Sequence, residues 1–152
     1  MNRVVWEGVG EPRMEIGYLA PAWDGRYARG TQIGRDYELR YELDASVLRL
    51  EIVGGRDAEI ELGDADFFDL GYSPLFNSLP VIRDGLLVTG PSRDYVMRWV
   101  DVPSLEVTLV EQRYEPLPDR VVRYSSGTFA ADIQFDADGI VVDYPGLARC
   151  VH

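Results

Sequence analysis

Few side chains in this sequence are spaced for bond-making chemistry. His152 is the one histidine in 152 residues, and Cys150, two positions earlier, is the one cysteine. A Ser-His-Asp or Cys-His relay needs an imidazole held beside its nucleophile, and the last residue of a chain is placed to fray. The same count excludes a zinc site built from histidines. No Gly-rich phosphate loop occurs, so no cofactor is expected. Asp136-x-Asp138-Gly139 begins like a calcium loop, but Val141-Val142 follows and the closing glutamate is missing, so a hairpin turn is the better reading. Asp64-x-Asp66, with Asp69 nearby, reads as solvated loop acids; a glycosidase-type acid pair has no positive signal.

What remains is recognition. The chain carries nine Tyr, three Trp and five Phe, and Tyr and Trp join an apolar body to a polar tip, which suits sugars or amphipathic lipids. Core filling accounts for most of them. Two polar residues stand out against apolar surroundings, Asn77 and Arg113. If Asn77 sits inside its segment, or if the 105–114 strand faces inward at Arg113, each is a buried polar group that needs a partner. That partner is a backbone carbonyl or a ligand hydroxyl.

The totals set limits. A chain of this length is expected to form one β-rich domain over residues 1–152. Acidic residues outnumber basic ones 26 to 15, for a net charge of -11, and every basic residue is Arg. Such a surface repels phosphate backbones, which argues against nucleic acid, and it opposes docking on anionic leaflets. A single cysteine fits a reducing compartment. The N-terminus has no long apolar stretch of signal-peptide type, and no run of about 18 apolar residues appears. Cytoplasmic location without membrane insertion is the expectation.

The elements that must position any site are strands. Tyr37, Leu39, Tyr41 and Leu43 alternate with Glu38, Arg40 and Glu42. Leu48, Leu50 and Ile52 follow, then Ile60 and Leu62, as a three-strand meander. Further strands are expected over 4–6, 14–19, 26–33 (interrupted by Gly30), 86–89, 95–100, 105–114, 121–125, 129–135 and 140–144, with a turn over 21–25 holding Trp23. Turn signals at this spacing indicate about ten or eleven short strands in an all-β sandwich or barrel. The alternation stops over 66–83, where Phe67, Phe68, Leu70, Leu75, Phe76 and Leu79 crowd together. Ser73 and Pro74 form an N-cap and first-turn pair, and Pro80 disfavours helix at Leu79. A short helical crossing near 73–79 is therefore predicted, plugging the strands' interior.

Four segments resemble a family of bacterial proteins described as "putative glycolipid-binding". They are Val5-Trp6-Glu7-Gly8; Asp69 through Pro80, similar to the family's Pro-Phe-x-Asn-x-Leu-Pro core with Leu75 standing between Pro74 and Phe76; Val100 through Leu105 followed by Gln112-Arg113-Tyr114; and Asp138 through Leu147, with its Asp-Tyr-Pro-Gly-Leu piece. The resemblance implies a strongly curved antiparallel sheet, an open half-barrel similar to lipoprotein carriers, whose concave face receives acyl chains. It also implies glycolipid binding.

The leading expectation is non-catalytic binding of an amphipathic lipid or glycolipid on that face. Asn77, Arg113 and Tyr144 would meet the polar head, and Phe76 and Trp99 the chain. Two alternatives stay open: an enzyme acting on a small apolar substrate with Asp69 or Asp143 as general base, and a partner-binding β module with a filled interior.

Overall fold

The computed structural model describes residues 2–19 and 26–151. Trp23, with its expected turn over 21–25, and His152 lie outside the described residues. Alternating segments become six strands in the first half: β1 (Asn2–Gly8), β2 (Met14–Leu19), β3 (Tyr27–Ile33), β4 (Glu38–Asp44), β5 (Val47–Ile52) and β6 (Asp57–Glu61). Each pairs antiparallel with the next. β7 (Phe67–Leu70) and helix α1 (Pro74–Asp84) make the crossing. A second meander then returns through β8 (Arg93–Val100), β9 (Val107–Leu117), β10 (Val121–Ser126), β11 (Phe129–Phe135), β12 (Val141–Tyr144) and β13 (Ala148–Cys150).

β13 pairs with β1, which joins the two meanders into one sheet of 13 strands with β6 and β7 at its edges. The sheet is strongly curved and does not close. Among the described residues the one parallel pair is β7 with β8, because a helical crossover between two strands returns the chain in its starting direction. The strand count exceeds the ten or eleven expected. Phe67–Leu70 inside the crossing and Ala148–Cys150 in the tail both pair, whereas residues 86–89 form a turn rather than a strand. Among the described residues no helix is long and apolar enough to cross a membrane.

α1 lies against the inside of the curve, and Pro74 through Val81 are all buried. Ser73 caps it, its Oγ accepting from Phe76 N at 3.4 Å. Gly85, at φ 65°, ends it in the left-handed conformation and donates its N–H to the Val81 carbonyl. The helix thus runs through Pro80 and past the expected end near residue 79. An interior proline costs about 3 kcal/mol. Leu79 and Val81 flank it at 1% exposure each, and burying such side chains returns roughly 1.5–3 kcal/mol apiece, so tertiary packing prevails over local preference.

Glu15 and Ser78 tie the helix to the sheet. Glu15 on β2 accepts from Ser73 Oγ at 2.6 Å and from Leu75 N at 3.1 Å, which places a carboxylate at a helix N-terminus. Ser78 Oγ donates to the Pro74 carbonyl and accepts from Val141 N, both at 3.0 Å. Trp6 Nε1 donates to the Val141 carbonyl at 2.7 Å. Gly17 and Gly30, paired across β2 and β3, make room on the inner face: a methyl at Gly17 would overlap Leu75 and one at Gly30 would overlap Tyr41. Gly30 therefore does not interrupt its strand; its missing side chain lets Tyr41 lie across it.

Candidate binding cavity on the concave face

The inner residues of the second meander are set by strand parity. On β9 the buried positions are Gln112, Tyr114 and Pro116, while Val107, Leu109 and Arg113 are exposed. The apolar run Leu105-x-Val107-x-Leu109 sets the opposite phase on paper, and in the fold Val107 and Leu109 belong to the outer face. Arg113 goes with them and pairs with Asp94 at 2.7 Å. Val96 of β8 is exposed as well, so that strand is not covered on both faces.

Inward, an aromatic ladder crosses six strands. Phe67 packs edge-on against Tyr95, Tyr95 against Tyr114 and Tyr114 against Tyr124, each pair 5.5 Å between ring centroids. Tyr124 then meets Phe129 at 6.0 Å and Tyr144 at 6.4 Å. T-shaped contacts of this kind contribute about 0.5–1.5 kcal/mol each beyond the area they bury, which makes this wall stiff.

Between the ladder and α1 the filling stops. A cavity of about 390 Å³ is lined by Asp69, Asn77, Trp99, Tyr124, Phe129 and Tyr144, with Tyr72, Leu70 and the 145–147 turn completing it. Asn77 reaches it from α1 and donates through Nδ2 to Tyr114 Oη at 3.3 Å. Asp69 comes from β7, opposite Trp99 of β8, and its Oδ2 accepts from Gln112 Nε2 at 2.6 Å. Burial pushes the Asp69 carboxyl up to about 6, against the lowering effect of the Gln112 bond. Burial first, and then the Asp69 charge, push the Tyr124 and Tyr144 phenols above their ordinary value. Phe129 and Tyr72, about half exposed at 51% and 45%, form an apolar rim.

The fold therefore brings Asn77, Trp99 and Tyr144 to one cavity. Phe76 is buried at 1% exposure with its ring 5.4 Å from Tyr41, in the packed part of the interior, and Arg113 lies on the outer face. Asp64 and Asp66 are exposed, as solvated acids should be, but Asp69 is buried. Asp143 pairs across strands with Gln134 and Arg149 and is half-buried. The Asp136 turn is a hairpin connection whose Oδ1 accepts from Asp138 N and Ile140 N.

Gln112, Tyr114 and Tyr124 were not legible as site residues. For Gln112 and Tyr114 the signal is phase read backward along β9 from Pro116 rather than forward from Val107. Glu15 was hidden in the same way. Met14, Ile16 and Tyr18 make the apolar series of β2, yet Glu15, Gly17 and Leu19 are the buried ones.

The fold is shared with a solved structure, the 1.80 Å crystal structure of a DUF1089 family protein from Pseudomonas aeruginosa, at a TM-score of 0.73 and 24% identity over 95% of this chain and 94% of that one. No curated protein matches the sequence. The family described as "Putative glycolipid-binding" matches residues 51–150, which takes in the cavity, α1 and the second meander. By that match over about two-thirds of its length, the chain belongs to the family so described.

Proposed function

We propose that the protein binds an amphipathic ligand, a glycolipid by preference, without transforming it, and that the cavity beside α1 takes the polar head. The observation that carries the reading is the cavity beside α1 on the inner face of the sheet, where polar and aromatic groups converge. Ligand sites are concave, largely apolar and carry a few fixed polar groups. Here those groups are Asp69 and Asn77, with Trp99, Tyr124 and Tyr144 as ring faces.

Volume refines the reading. A space of about 390 Å³ equals roughly a dozen waters, enough for a sugar-sized head and too small for several acyl chains as well. α1 occupies the part of the concave face where chains would otherwise lie. The chain of the ligand therefore leaves past the rim, over Phe129 and Tyr72. Family membership supports a glycolipid as the ligand class.

The test is a titration of Trp99 fluorescence with octyl β-D-glucopyranoside below its micelle concentration. Saturable change that Asn77→Leu weakens is the expected result; no change, together with an unaltered melting temperature, would count against binding. A carboxylate-dependent reaction is the second reading, favoured by Asp69 lining the cavity with its carboxyl pushed up to about 6 by burial. It requires turnover of an added glycoside that Asp69→Asn abolishes.

A further inference from the structure

We infer that the head group seated in this cavity carries an organic ammonium, held against the Asp69 carboxylate and the surrounding ring faces. The inference rests on reading the cavity as a head-group site and goes further, to the charge of what sits there.

Among the described lining residues Asp69 is the sole charged one, and none is an arginine. Its hydrogen bond from Gln112 comes from a neutral amide, so no counter-charge accompanies the carboxylate into the interior. A buried carboxylate without a cation is unfavourable unless it is neutralised. The pull of burial on its acidity registers that cost. The neighbouring hydrogen-bonding pattern is also short of donors. Behind Asp69, the Gln112 amide keeps its Oε1 buried with no partner, outside the lining of the cavity. An ammonium supplies the positive charge and N–H donors that the Asp69 carboxylate lacks.

The walls suit the same guest. Trp99, Tyr124, Phe129 and Tyr144 line the cavity with aromatic rings, and ring faces attract cations, with tryptophan the strongest; the Tyr72 ring is already covered by the Arg13 guanidinium, 4.0 Å from its centroid. An overall charge of -11 concentrates cations at the surface and repels anionic heads. Head groups of net negative charge meet an uncompensated carboxylate here and are disfavoured by it.

Three octyl probes at pH 7 separate the possibilities in calorimetric titrations: the neutral β-D-glucopyranoside, its 2-amino-2-deoxy counterpart, and octyltrimethylammonium, which has charge and no sugar. The expected result is binding of the amino glycoside about tenfold tighter than of the neutral one, with the preference lost in Asp69→Asn. Equal affinity for the neutral and amino glycosides overturns the ammonium assignment and leaves the head-group site standing. Preference retained in a folded Asp69→Asn variant also overturns it, since the charge is then read elsewhere. Octyltrimethylammonium binding as tightly as the amino glycoside supports the ammonium and removes the sugar from the reading. Failure of all three to bind overturns the site itself. If the variant does not fold, the unaltered protein decides the matter at pH 4.5, where Asp69 takes up its proton: the preference for the amino glycoside is expected to fall, and an undiminished preference overturns the assignment.

Discussion

Gln112 on β9 donates to Asp69 on β7 across 2.6 Å, spanning the intervening strand β8. This bond fixes the one carboxylate of the cavity without neutralising it. The folded chain holds the Asp69 proton up to about pH 6, against an ordinary value of 3.8. Between those values the folded state binds more protons than the unfolded one, so this group's contribution is fully present below pH 3.8 and is lost as pH rises through 6. The window is worth roughly 3 kcal/mol. Asp69→Asn should therefore gain stability relative to the unaltered protein by about 2–3 kcal/mol more at pH 7.5 than at pH 4. Urea denaturation of both proteins at the two pH values checks it, and an equal difference at both would show that Asp69 is not desolvated.

Glu15 sets a second and separate window. Burial pushes its carboxyl from 4.5 to about 7, and the hydrogen bonds from Ser73 and Leu75 only moderate the effect. The sign is the same: stabilisation is greatest below pH 4.5 and disappears as pH rises through 7. A carbon-13 titration of the Glu15 side chain should give a midpoint near 7. A midpoint in the ordinary carboxylate range would mean that water reaches the start of α1.

The strands of the first meander were readable because Leu39, Tyr41, Leu43, Leu48 and Leu50 alternate with charged residues, and those five are buried at 5% exposure or less. Pairing follows directly from such a pattern. The site was readable only where a residue stood out against its segment, as Asn77 does. Phase on β9 was misleading because Val107 and Leu109 are apolar and exposed, and apolar side chains on a protein surface are common enough to carry little information. Curvature and the remaining cavity depend on how far α1 fills the interior, a sum over many contacts that no single stretch encodes. Pro80 shows the same limit, since the helix continues through it under packing that local preference does not include.

Asn77 and Arg113 should separate cleanly in ligand binding. Asn77 is 5% exposed and lines the cavity, whereas Arg113 meets Asp94 on the outer face. Asn77→Leu should weaken binding of a glycoside probe by about tenfold, the effect of one good hydrogen bond. Arg113→Ala should leave it within about twofold, since exposed ion pairs contribute little. Titration of the two variants side by side gives the comparison. A large loss in Arg113→Ala would move the site to the other face of the sheet.

Ser78 tests whether α1 is fixed to the sheet or merely rests on it. Its hydroxyl accepts from Val141 N at 3.0 Å while donating to Pro74, and the serine is fully buried. Ser78→Ala removes the acceptor and leaves the Val141 N–H in an interior without water, a change that costs about 1–3 kcal/mol. Because α1 forms one wall of the cavity, the same substitution should speed amide exchange at Val141 and loosen ligand binding together. Exchange at Val141 that stays slow, with stability unchanged, would mean that the apolar contacts of Leu75, Phe76 and Leu79 hold the helix unaided, and that the cavity wall does not depend on this bond.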